Sequence, residues 1–186
     1  MYRKCFYDAL KNISCDKGCL YEESISRIID CLLSTRTNRN VLYFIGNGGS
    51  AGIAMHMTTD FLKNGHIKTH SMHDPAMLTC LGNDYGYEYV FSKQLEILAE
   101  EGDVLVAISS SGNSPNIINA ANVAREKGCY IVTLSGFKPD NRLRQMGNVN
   151  IYVSSMEYGI VESVHNMILQ QVVDEIMAKD REEATE

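Results

Sequence analysis

The chain has 186 residues, a length that suits one domain with a substantial core. Apolar residues make up 45% and charged residues 22%, which disfavours disordered, fibrous and low-complexity classes. Lys and Arg number 17 against 23 Asp and Glu, and the resulting charge of −6 has the wrong sign for gripping a phosphate backbone, so no nucleic-acid partner is expected.

Residues 1–36 read as an N-terminal helical region. Phe6, Leu10 and Ile13 recur at i, i+4 and i+7, and Ile25, Ile28, Ile29, Leu32 and Leu33 repeat the pattern after Glu22 and Glu23. The opening MYRKCFYDALKN contains no continuous apolar stretch, and nothing nears the roughly 20 apolar residues that span a bilayer. A cytoplasmic protein without a membrane partner is the expectation. Six cysteines are scattered, and the close pair Cys15 and Cys19 lacks a second pair or nearby histidines, which fits neither a zinc knuckle nor a disulfide framework.

From residue 41 the pattern changes. VLYFIG (Val41 to Gly46) is short, β-branched and aromatic, and reads as a buried strand. AMLTCLG (Ala76 to Gly82), DVLVAIS (Asp103 to Ser109), YIVTLSG (Tyr130 to Gly136) and NVNIYVSS (Asn148 to Ser155) are read as further strands. Helical stretches alternate with them at 53–64, 88–101, 116–128 and 159–179. Strands alternating with helices imply a central parallel sheet covered on both faces, an α/β core over 41–179 within a single domain 1–186.

Two loops carry chemistry. GNGGSAG (Gly46 to Gly52) lies between a strand and a helix, where glycines let the backbone approach a ligand and the helix start offers free N–H groups to an anion. A ligand-free tight turn is the other reading of that motif alone. The second loop, Ser109-Ser110-Ser111-Gly112-Asn113-Ser114, follows a strand and precedes a helix opened by Pro115. Its four hydroxyls converge at one helix N-terminus, a phosphate cradle without lysine or arginine. Helix capping explains one serine and leaves three over.

Together, GNGGS, SSSGNS and the stretch LGNDYGYEYVFSKQLE (Leu81 to Glu96) resemble the sugar isomerase (SIS) domain family, a three-layer flavodoxin-like α/β fold with N-terminal helices that binds phosphosugars. Within the family the chain is most similar to the phosphoheptose isomerases. The resemblance implies an aldose–ketose isomerase converting sedoheptulose 7-phosphate into D-glycero-D-manno-heptose 7-phosphate for surface-polysaccharide heptose, without a nucleotide cofactor and as a homotetramer whose pockets neighbouring subunits complete. It implies phosphate contacts from Ser109, Ser110, Ser111 and Ser114, and sugar contacts from Asn47, Gly48, Gly49, Ser50, Asn83, Asp84 and Glu162. A non-catalytic SIS regulator or scaffold of the initiator-associating type, or an isomerase of another sugar phosphate, are the alternative readings.

Moving a carbonyl from C2 to C1 requires a base, an enediol(ate) and an acid. In the family the four relevant positions carry His and Glu on the first site helix and Gln and His on the last, and these can also ligate zinc. Here they are His56, Asp60, Glu162 and Gln170, so one histidine remains and Gln170 cannot exchange a proton at neutral pH. At roughly 100° per residue, Glu162 lies about 60° from His165 and about 80° from Gln170, and His165 and Gln170 are about 140° apart. Glu162 is therefore read as the acid/base partner of Asp60, with His165 either an auxiliary catalytic group or a structural residue. His56, Asp60, Glu162 and Gln170 form either a weak divalent-metal set, zinc first, or a metal-free acid/base site.

His66, His70 and His73 fall in the polar stretch NGHIKTHSMHD, read as a solvated or substrate-side loop. The nine methionines read as core filler.

Overall fold

The computed structural model describes residues 2–15 and 20–185, the side chains of Tyr2, Arg3 and Phe6 excepted; the Phe6 side chain and Cys19, both read above, lie outside the described residues. The chain runs α1 (Tyr2–Lys11), β1 (Ile13–Ser14), α2 (Tyr21–Asn38), β2 (Leu42–Ile45), α3 (Gly49–Lys63), β3 (Thr69–Ser71), α4 (Pro75–Tyr85), α5 (Ser92–Leu98), β4 (Val104–Ser109), α6 (Pro115–Glu126), β5 (Tyr130–Ser135), β6 (Val149–Val153) and α7 (Tyr158–Glu183). Short 3₁₀ turns occupy Tyr87–Tyr89 and Leu143–Gln145.

The strands form one sheet in the order β1-β6-β5-β4-β2-β3, parallel throughout except where Ile13 of β1 faces Val153 of β6 antiparallel. Side chains alternate across a strand, and the sequence uses both faces. Leu42, Phe44, Val104 and Val106 join a core with α2, α3 and α7. Tyr43, Ile45, Leu105 and Ala107 join a second core with α5 and α6. This is the expected three-layer arrangement of helices on both sides of a mostly parallel sheet. Phe44 packs on Phe61 with ring centroids 5.5 Å apart, both side chains fully buried. Each such burial contributes about 1.5–3 kcal/mol.

The run Ala76–Gly82 is a correction: it is helical, within α4. Asp74 Oδ1 accepts a hydrogen bond from Met77 N at 2.9 Å and Pro75 takes the first helical position, so the chain is capped into a helix before the apolar run begins. The strand that pairs with β2 comes earlier, as β3 inside the stretch read as a polar loop. Ile13, read as helical, begins strand β1 instead, and the helix expected over 88–101 is reduced to a 3₁₀ turn and α5.

The strand order positions the site. β2 and β4 are neighbours, but the chain leaves β2 through α3 into one core and leaves β4 through α6 into the other. Their C-terminal loops therefore part over a crevice, the point at which parallel α/β sheets bind ligands.

Candidate active site

Gly46–Gly48 follow β2 and the serine loop runs from Ser109, the last residue of β4, to Ser114, and the two loops wall a cavity of about 380 Å³. Asn47, Gly48, Gly49 and Ser50 line one side, Ser109, Ser110, Ser111 and Ser114 the other, with Tyr158 and Glu162 of α7 at the margin. No lysine or arginine is among these residues.

Gly48 has φ +54°, a left-handed conformation that costs a side chain and not glycine, and it turns the chain into α3. Gly49 matters differently: a Cβ there would meet the Glu162 carboxylate, which would have to move. The glycine thus lets α7 bring an acid against the start of α3. Burial in the cleft raises the Glu162 carboxyl above the ordinary carboxylate range.

The serine loop holds itself in shape with some of its hydroxyls and leaves others to the cavity. Ser109 Oγ accepts from Gly112 N at 3.1 Å and lies 3.4 Å from Ser114 Oγ. Ser111 Oγ accepts from Asn113 N at 3.3 Å. Ser114 is the N-cap residue of α6, yet its side chain makes no capping hydrogen bond. Ser110 is 5% exposed and its Oγ has no partner among the described residues. A buried hydroxyl without a partner costs about 1–3 kcal/mol, and this one is enclosed beneath the cavity wall at the start of α6.

Two further contacts tie the walls together. Asn47 and Asn116 exchange amide hydrogen bonds, each 2.9 Å, and Tyr87 Oη donates to Asn47 Oδ1 at 3.0 Å. His73 Nε2 lies 2.9 Å from Gly46 O and Nδ1 lies 2.8 Å from Ser71 Oγ. Desolvation lowers the His73 pKa, and the neutral ring satisfies both contacts with its proton on Nε2, donated to Gly46 O. Asn116 and Tyr158 were not singled out in the sequence, and His73 was read there only as part of a solvated or substrate-side loop. A histidine two residues beyond a strand that neighbours the glycine loop was the available signal for His73.

The remaining candidates lie elsewhere. His165 is fully buried, its Nε2 is 3.1 Å from Ser135 O, its pKa is pushed down to about 4 by desolvation, and it does not line the cavity. Asn83 and Asp84 are exposed on α4, with Asn83 Nδ2 donating to Asp84 Oδ1 at 2.9 Å, and they are absent from the cavity wall. Asp60 accepts from Gln170 Nε2 at 2.9 Å and lies 3.2 Å from His56 Nε2, both through Oδ2. Gln170 stands eight residues beyond Glu162, roughly 12 Å along the axis at 1.5 Å per residue. Angle around the helix aligned these two residues, and rise along it separates them: within one chain Asp60 and Glu162 belong to different places. Among the described residues of this single chain no three His, Cys, Asp or Glu side chains gather as a metal-binding group, so one chain alone does not assemble the zinc set that the resemblance implies.

Known proteins of similar sequence and structure agree with the fold. The sequence pattern of the SIS domain matches residues 6–136. A phosphoheptose isomerase from Helicobacter hepaticus is 34% identical over 157 residues, covering 81% of this chain and 80% of that protein. One from Cytophaga hutchinsonii is 37% identical over 158 residues, covering 82% of each. The structure of phosphoheptose isomerase from Neisseria gonorrhoeae superposes with TM-score 0.81 at 28% identity, covering 95% of this chain and 92% of that one. That of a phosphoheptose isomerase from Francisella tularensis gives 0.83 at 26% identity, covering 96% and 95%.

Proposed function

We propose, from the premise that the chain belongs to the SIS-domain family and within it to the phosphoheptose isomerases, that it interconverts sedoheptulose 7-phosphate and D-glycero-D-manno-heptose 7-phosphate, supplying heptose for surface polysaccharide. The observation that carries this reading is the cavity that Ser109, Ser110, Ser111 and Ser114 line at the α6 N-terminus, with the glycine loop and Glu162 across it. Phosphate seated there would receive hydroxyl donors from Ser110 and its neighbours and the field of the helix, with no net positive charge required.

The sugar chain then extends toward the glycine loop and Glu162. A raised carboxyl pKa makes Glu162 a stronger base once ionised, suited to take a proton from C1. The electron pair left on C1 forms the C1–C2 double bond while the C2 carbonyl oxygen becomes an enediol(ate) oxygen. Return of a proton to C2, with the hydroxyl proton moving from O1 to O2, leaves the aldehyde at C1. Atoms balance without an oxidant or reductant.

Asp60 is the second acid/base group of this reading, and it lies away from the cavity of its own chain. A homotetramer in which a neighbouring copy lays its Asp60 against the sugar resolves that separation. Exposed Met55, Leu62, Tyr158 and Met167 on α3 and α7 support such a contact face. The reading treats residues 1–186 as one domain and a free sugar phosphate as a cytoplasmic substrate, and it routes no step through zinc. A second reading, a phosphosugar-binding regulator or scaffold, is favoured by Gln170, which cannot titrate where the family carries a histidine. The test is turnover of sedoheptulose 7-phosphate beside ribulose 5-phosphate and fructose 6-phosphate, followed by NMR. Preference for the heptose supports the proposal, preference for another sugar moves the substrate, and binding without turnover favours the regulator.

A further inference from the structure

The resemblance implies zinc at the positions of His56, Asp60, Glu162 and Gln170, and the geometry at these residues is that of a different device. Glu162 is two helical turns away. Only Asp60 Oδ2 gathers the others, at 2.9 Å from Gln170 Nε2 and 3.2 Å from His56 Nε2. Two ligand atoms on one tetrahedral zinc, each about 2.05 Å from the metal, stand roughly 3.3 Å apart. The Gln170 contact is shorter than that and is a hydrogen-bond distance. The orientation of the amide follows from its neighbour: its oxygen turned toward Oδ2 would set two acceptors against each other, so the NH₂ group faces the carboxylate. An amide N–H cannot ligate a cation, and while it donates to Oδ2 it competes with a cation for that oxygen.

We propose that Gln170 is a positioning residue that converts this corner from a metal site into a metal-free hydrogen-bonded carboxylate, holding Asp60 Oδ2 where the family has a third metal ligand. His56 and Asp60 keep the other two ligand types at one-turn spacing on α3, so a single change at position 170 restores the set. Gln170→His supplies a second imidazole, and Gln170→Glu supplies a carboxylate of almost the same shape. Either makes three ligands with an open fourth position, the pattern of zinc sites that hold water.

The test is calorimetric titration of the whole chain with zinc chloride, which reads binding whether or not the protein turns over a sugar phosphate. The native chain is expected to bind zinc no more tightly than the His56→Asn variant. Gln170→His is expected to bind it at least about 100-fold more tightly than the native chain, and to lose that gain when Asp60→Asn is added. Circular dichroism confirms the fold of each variant, and Gln170→Glu takes the place of Gln170→His if the latter does not fold. Stoichiometric zinc binding by the native chain that disappears in Asp60→Asn overturns the proposal. So does a folded Gln170→His and a folded Gln170→Glu that both bind zinc no better than the native chain.

Discussion

Replacing Ser110 by alanine separates binding from stability. Its Oγ is buried without a protein partner, so the native chain carries an uncompensated desolvated hydroxyl. Removing it relieves a penalty of the order of 1–3 kcal/mol and leaves a gap one oxygen in size, with a net effect between no change and a gain of about 1 kcal/mol. In the proposed function the same hydroxyl turns to donate to substrate phosphate, and a hydrogen bond to a charged group is worth roughly 1.5–3 kcal/mol, or about 10- to 150-fold in Kd. Ser109→Ala provides the contrast, because Ser109 Oγ accepts from Gly112 N within the loop and its loss should cost about 0.5–1.5 kcal/mol of stability. Urea denaturation gives the stabilities and calorimetry with sedoheptulose 7-phosphate gives the affinities. Ser110→Ala that binds as tightly as the native chain, or that loses more than about 1 kcal/mol of stability, refutes the reasoning.

Gly49→Ala should push the Glu162 carboxylate aside, since the new methyl would collide with it, and lower turnover more than about tenfold with a smaller change in inorganic phosphate affinity; steady-state kinetics and calorimetry check this. Glu162→Gln should cost roughly 10² to 10⁴ in turnover. The base must be ionised, and desolvation raises its pKa, so kcat/KM of the native chain should fall as pH drops through a value above the ordinary carboxylate range, a limb that a pH–rate profile of Glu162→Gln lacks. Arg36 grips both oxygens of Asp180 at 2.8 Å and holds its pKa below the ordinary value. The stabilising contribution of this pair is therefore present above an unfolded pKa of about 3.9 and is lost as pH falls through the lower folded value. Arg36→Gln should lower the melting temperature at neutral pH, and the difference from the native chain should close in acid.

The strands were legible where composition left one reading. Val, Leu, Tyr, Phe and Ile in succession before a glycine have no amphipathic helical face, and β2 lies there. Ala76–Gly82 is as short and as apolar, but Ala76, Met77, Leu78 and Leu81 are helix formers and the start signal lies outside the run, in Asp74 and Pro75. The serine loop was legible because hydroxyls at a helix start have few uses. What sequence could not show was whether each hydroxyl was already occupied, and Ser110 differs from Ser109 only through three-dimensional partners. The proton-transfer residues were the least legible. Spacing on α7 gives angle, while sharing a site also requires equal depth along the axis. His165 illustrates the same limit: its sequence setting fits an active-site helix, and its ring is enclosed against Ser135 O.

Exchange of substrate hydrogen with solvent tests the central claim most directly. The native chain is incubated with sedoheptulose 7-phosphate in D₂O and followed by proton NMR, with no metal added. Proton abstraction at C1 and return at C2 predicts deuterium entering C1 of the ketose and C2 of a heptose 7-phosphate, at a rate that falls by about 10² or more in Glu162→Gln. Saturating binding of the sugar phosphate with no carbon-bound deuterium, with or without added zinc, would contradict the claim.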